Sequence, residues 1–181
     1  MTLDEQRAAF SQSRFLAMPL AGTIAWALVA VASWFLPLQG KVLAVYIGTG
    51  SIVYLGMFLS RFTGEDFLDK SKPKNSFDGL FMLTVGQALL VFAIAIPFAM
   101  IEPTSLPLSV GILTGVMWLP LSWIIQHWIG FFHAITRTLG IVAVWYLFPD
   151  WRFLTIPIVI VTIYAITIAI LELRWRGLKQ S

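Results

Sequence analysis

No cysteine occurs among the 181 residues, so disulfide frameworks, thiolate metal centres and cysteine nucleophiles are excluded. Charge is almost as scarce. Lys, Arg, Asp and Glu make up 12% of the chain, against about 25% in ordinary soluble domains. Hydrophobic residues reach 59%, where about 45–50% is usual. So few charges cannot cover that much apolar surface in water, which excludes a soluble globular fold. Intrinsic disorder and a collagen-like fibre are excluded by the same composition. The net charge of +3 is too small to point to a nucleic acid.

What the chain does have is hydrophobic length. A hydrocarbon core about 30 Å thick takes about 20 mostly apolar residues per helix. Six stretches meet that requirement: 15–36, 42–60, 80–101, 106–125, 129–148 and 153–171. Backbone groups in lipid must be satisfied within each segment, so helices are expected. The breaks have chemical causes. Pro37 to Lys41 reads as a tight turn, and 61–77 is the one long polar loop. Glu102-Pro103 and Pro149-Asp150 stop helices, because the residue before a proline is pushed out of the α region. The leading residues carry Asp4 and Glu5 beside Arg7 and Arg14, unlike a signal peptide, so the first span is read as retained. Thr2 and Glu5 have capping-box spacing, which predicts a short interfacial helix over 3–14.

Orientation follows from Lys and Arg. Nine of them (Arg7, Arg14, Arg61, Lys70, Lys72, Lys74, Arg174, Arg176, Lys179) fall on the side with both termini, and two, Lys41 and Arg152, on the other. Both termini are therefore expected in the cytoplasm, with the protein in the cell (inner or plasma) membrane. Trp34 and Trp151 would sit at the outer interface, Trp128 and Trp175 at the inner one. The expected fold is an all-α integral membrane bundle of six transmembrane helices, with residues 1–181 forming one transmembrane domain in the lipid bilayer. Lys70, Lys72 and Lys74 could touch anionic head groups, although the positive-inside bias already accounts for them.

Small residues mark packing faces. Ala17, Ala21 and Ala25 share one face of the first span, and Gly111 and Gly115 one face of the fourth. Such motifs pack helices within a chain at least as often as they join copies; a homo-oligomer would use Gly111 and Gly115. The run from Arg14 to Trp26, the loop Lys72-Pro-Lys-Asn75 and the stretch Leu106-Pro-Leu through Gly115, Leu119-Pro120 and Trp123 resemble a family of small bacterial multi-pass membrane proteins with a domain of unknown function. The resemblance covers nearly the whole chain and implies a prokaryotic membrane and six helices. It implies no activity. The family pattern has a histidine before the aromatic preceding Leu119-Pro120; here that place is Met117, so any role of that histidine does not carry over.

Polar groups inside spans are the default place to look for function. The first, second, fourth and sixth spans are read as carrying only Ser and Thr, which can bond back to their own helix. The third has Gln87. The fifth has His133, Thr136, Arg137 and Thr138, with Gln126 and His127 just before it. At about 100° per residue, Gln126, Gly130, His133 and Arg137 fall on one stripe, with the glycine leaving room for a ligand or a neighbouring helix. Arg137 lies about 12 Å beyond Ile129, close to the midplane, where an arginine costs about 2.5–3.5 kcal/mol on insertion scales. No span holds an interior Asp or Glu.

Three readings of Arg137 follow. It snorkels, crosses to Glu172 or Asp78, or bonds carbonyls freed near Pro120. Alternatively it is the charge of an anion site, with His133 and Gln126 as orienting donors. Or it is a catalytic clamp, with His133 as acid–base. No metal is assigned, because His127 and His133 lie about 120° apart on a helix and no further ligands are at hand. No cofactor or catalytic set is assigned either. The expected function is binding or transport of a small anionic or amphipathic ligand, or a lipid, at Arg137 and His133, with Gln126, Gln87 and Trp123 as lining. The alternatives are an intramembrane enzyme acting on a lipid or isoprenoid, and a structural or accessory subunit.

Overall fold

The computed structural model describes residues 1–69 and 75–180. The Lys70, Lys72 and Lys74 contacts with head groups, and most of the Lys72-Pro-Lys-Asn75 motif, lie outside the described residues. In chain order the helices are α1 (Leu3–Ser11), α2 (Ala17–Phe35), α3 (Leu38–Thr63), α4 (Ser76–Leu90), α5 (Phe92–Ile101), α6 (Ser105–Val116), α7 (Trp118–Ile125), α8 (Ile129–Leu147) and α9 (Arg152–Gln180). A 3-10 turn, Pro149–Trp151, joins α8 to α9. Six helical segments are long and apolar enough to cross a membrane: α2, α3, α4 with α5, α6 with α7, α8, and the turn with α9. The chain is an all-helical, multi-pass membrane protein.

Local chemistry sets the boundaries. The Thr2 hydroxyl accepts from the Glu5 amide while the Glu5 carboxylate accepts from the Thr2 amide, closing the expected capping box on α1. The second span runs past its expected end at Ser60 to Thr63 and stops at Gly64, whose φ of +79° suits a residue without Cβ. The fourth span is interrupted at Met117. Pro120 has no N–H for the Val116 carbonyl one turn back, and the helix divides there into α6 and α7. A backbone reversal ends α7: Gln126 adopts φ +50°, ψ +45°, and the Ser122 hydroxyl donates to the His127 carbonyl and accepts from the Phe131 amide.

The most extensive packing joins α2 to α3 and to α9, then α8 to α9, with α6 and α7 against α8. Lipid supplies no hydrophobic drive between helices, so close van der Waals approach has to hold them. Ala17, Ala21 and Ala25 are buried on α2. A Cβ on Gly111 would come within 2.8 Å of Ile141 and 3.2 Å of Ile160. A Cβ on Gly115 would come within 2.9 Å of Arg137. The small-residue face that could have joined two copies is thus filled by the chain's own α8 and α9. The glycine gap expected at Gly130 is filled too, because a Cβ there would meet the Trp118 carbonyl and Ser122.

The periphery is more exposed, although α3 lies along α2. α3 buries only Val45, Gly56 and Ser60, and α4 only Phe77, Thr84 and Val85. These two helices, consecutive in sequence, scarcely touch. α1 instead ties down the start of α4. Asn75 donates to the Gln6 carbonyl (2.7 Å), and Phe10 packs against Phe77 and Phe81.

Candidate functional site

Arg137 is fully buried, as is His133 one turn before it on α8. The side chain does not snorkel. It lies across Gly115 of α6, where a Cβ would press on its Cδ and Nε. Its Nη1 donates to the Tyr164 hydroxyl (3.1 Å) and its Nη2 to Thr114 Oγ1 (3.0 Å). Nη1 also faces His133 Nε2 at 3.4 Å. The guanidinium stands 5.3 Å from the Tyr164 ring centre and 6.0 Å from that of Trp26. Among the described residues no carboxylate lies within ion-pair distance of it, and its Nε has no partner. Glu172, one of the expected partners, is committed to Arg14 (2.7 Å) and Arg176 (2.8 Å).

The proton directions follow from the neighbours. Thr167 donates to the Ile163 carbonyl (2.8 Å), so its oxygen is an acceptor toward His133 Nδ1 at 2.9 Å. His133 therefore carries its proton on Nδ1 and turns a lone pair, Nε2, toward Arg137. Thr114 donates to the Val110 carbonyl (2.6 Å) and accepts from Arg137. Tyr164 differs. It accepts from Arg137, and its own proton has no acceptor among the described residues. The imidazole is held between two rings, stacked on Trp118 at 4.2 Å and tilted against Tyr164 at 4.8 Å. Neutral acceptors thus surround the cation: two hydroxyls, one imidazole and two π faces.

Next to this centre lies an apolar chamber, a cavity of about 80 Å³ that opens on one side. It occupies the slot left between α3 and α4, with Gly50 and Val53 on one wall and Val85 and Ala88 on the other. Thr114, Trp118 and Tyr164 border it from the bundle interior. Arg137 does not border the chamber. It touches the wall from behind, through Tyr164 and Thr114. Glu65 borders it at the face carrying both termini, where its Oε1 accepts from the Leu16 (2.7 Å) and Ala17 (2.9 Å) amides at the start of α2. Burial raises the Glu65 carboxyl above its usual pKa, against the lowering effect of those two amides.

Of the residues expected to form one site, the fold joins Arg137 and His133 and separates the rest. Gln126 is exposed, because its left-handed conformation ends α7 and removes it from the α8 stripe. Trp123 is 63% exposed on the outer surface of α7, 6.0 Å from the Arg7 guanidinium. Gln87 is exposed on α4 and does not border the chamber. His127 is half-buried outside the site, and burial, with the charge of Arg174, lowers its pKa. Tyr164, Thr167 and Thr114 are the residues that sequence reading passed over. Tyr164 and Thr167 stand three apart, one turn along the same face of α9, and that spacing is the signal that could have found them.

Over residues 4–174 the chain matches the family described as "Family of unknown function (DUF7010)". The curated proteins and the solved structures contain no match to it.

Proposed function

We propose that this chain, which belongs to the DUF7010 family, is a membrane-embedded binding protein. Its guest is an amphipathic molecule dissolved in the bilayer, taken into the chamber between α3 and α4 with an oxygen-bearing end against Tyr164. One observation carries the reading. The Tyr164 hydroxyl accepts from a buried guanidinium, borders an apolar chamber, and keeps a proton to donate. A neighbouring cation strengthens such an O–H donor, and low local dielectric strengthens it further.

The remaining polar residues have supporting parts. Arg137 polarises Tyr164 without meeting the guest. His133 and Thr114 hold Arg137 in place, and Trp118 and Thr167 hold His133. The chamber lies between two spanning segments, so a lipophilic guest reaches it from the bilayer. With the termini in the cytoplasm, as the Lys and Arg distribution favours, the chamber occupies the inner half of the membrane.

The test is extraction of the purified protein with organic solvent, followed by mass analysis of the molecules released. Wild type should release an amphiphile at near-equal molar ratio. Tyr164→Phe should weaken retention about tenfold, as expected for one charge-assisted hydrogen bond. Ala88→Trp should abolish retention by filling the chamber. Equal release from all three proteins would end the proposal.

A further inference from the structure

The chamber's polar inventory narrows the class of guest; this step rests on the reading of the chamber as a binding site. Among the described residues four with hydroxyls border it: Thr49, Thr84, Thr114 and Tyr164. Three of them donate to carbonyls of their own helices. Thr49 bonds Val45 (2.6 Å), Thr84 bonds Leu80 (2.9 Å) and Thr114 bonds Val110 (2.6 Å). Among the described lining residues only Tyr164 has a hydroxyl proton left, and the Trp118 indole adds a second neutral donor type. Among the described residues no Lys, Arg or His borders the chamber, and the one carboxyl that does is Glu65.

An anionic head fits this inventory badly. A carboxylate or phosphate needs several donors to replace its water. Here it would meet one phenol and one indole, both neutral, with the guanidinium held behind the phenol, and it would share the chamber with Glu65. Attraction across an intervening group does not offset the cost of drying an ion. A carbonyl oxygen fits: it carries no charge and takes one strong donor. Around it, Phe15, Phe81, Phe92 and Trp118 supply aromatic surface for a flat or chain-like apolar body.

We infer that the chamber is a site for a neutral lipophile whose carbonyl oxygen accepts from the Tyr164 hydroxyl, reached laterally between α3 and α4. Membrane quinones and acyl esters are the two sources of that chemistry. The specificity lies in Tyr164, and Arg137 is its positioning and polarising residue.

Titration of the whole protein in detergent with four probes tests this: a decyl-substituted benzoquinone, methyl dodecanoate, dodecanoate ion and dodecane. The quinone or the ester should bind about tenfold or more tightly than dodecane. Tyr164→Phe, checked for an unchanged melting temperature, should remove that advantage and leave dodecane unaffected. Preference for the quinone alone, or for the ester alone, supports the class and names its source. Dodecanoate binding tightest, and depending on Tyr164, would overturn the neutral class while keeping the chamber as a binding site. Dodecane equalling the carbonyl probes in wild type would also overturn it, since the head would then go unread. Failure of all four probes to bind wild type would overturn the binding reading itself.

Discussion

Two groups of arginines divide the chemistry of this molecule. At the face carrying both termini, Arg14 and Arg176 share the Glu172 carboxylate, and Arg14 and Lys179 both lie on the Trp175 ring. About 12 Å further along α9, at the level of Tyr164, Arg137 of α8 has only neutral partners among the described residues. Solvation explains the difference. Near water, opposite charges pair readily and contribute little. In the dry interior a carboxylate partner would add a second ion to desolvate, at several kcal/mol. Hydroxyl and imidazole acceptors satisfy the guanidinium N–H groups without that cost. The interior cation is thereby left to polarise the Tyr164 hydroxyl, as a neutralised pair would not.

Arg137→Ala should produce the largest effect. It leaves a cavity and removes the donor from Tyr164, Thr114 and His133, so unfolding in detergent should show a loss of about 3 kcal/mol. Arg137→Met sharpens the comparison, because it restores volume while removing the charge. Replacing buried ions by well-packed apolar residues is often neutral, so its stability should stay within about 1 kcal/mol of wild type. A loss as large as that of Arg137→Ala would mean that the charge itself holds the bundle, and the contrast with the terminal face would collapse.

Gly115→Ala comes next. Its Cβ would stand 2.9 Å from Arg137 Cδ, so the guanidinium must shift, with an expected loss of about 1–2 kcal/mol by overpacking. Relief of that loss in the double variant Gly115→Ala, Arg137→Met would tie the effect to the guanidinium, by a double-mutant cycle.

A smaller effect concerns Glu65. Its folded pKa is raised by burial, so the stability linked to this group is present below the usual carboxylate range. It is lost as pH climbs through the raised value. Wild-type melting temperature should therefore fall over that window, and Glu65→Gln should flatten the profile. An unchanged profile would remove Glu65 as its source. Smallest of all, Glu172→Gln should lower the melting temperature slightly at low salt, and the difference should shrink at high salt. A salt-insensitive loss matching that of Arg137→Ala would erase the distinction between the two arginine groups.

Much of the architecture was readable from the residues. Six apolar runs became six spanning segments, and the Thr2–Glu5 spacing became a capping box. Carbonyls were expected to be freed near Pro120, and the helix breaks about one turn before it. The site was readable only in part. Arg137 and His133 are four apart on one helix, so helical period alone puts them together. Gln126 was assigned to the same stripe because a continuous helix was assumed, and one residue with positive φ breaks that assumption. Tyr164 was passed over when the sixth span was read as carrying only Ser and Thr, and its hydroxyl gained meaning only opposite Arg137.

The sequence by itself determined that this chain is a membrane-spanning helical protein with a cation at depth and no interior carboxylate to meet it. Those properties depend on transfer energies and on neighbours in the chain. Only the tertiary structure decided what the cation meets. Thr114, Arg137 and Tyr164 lie on three helices, and which hydroxyl faces the guanidinium depends on how α6, α8 and α9 rotate and close on one another. The chamber has the same origin: it exists because α3 and α4, adjacent in the chain, fail to pack, and hydrophobicity in lipid does not select which helix faces pair.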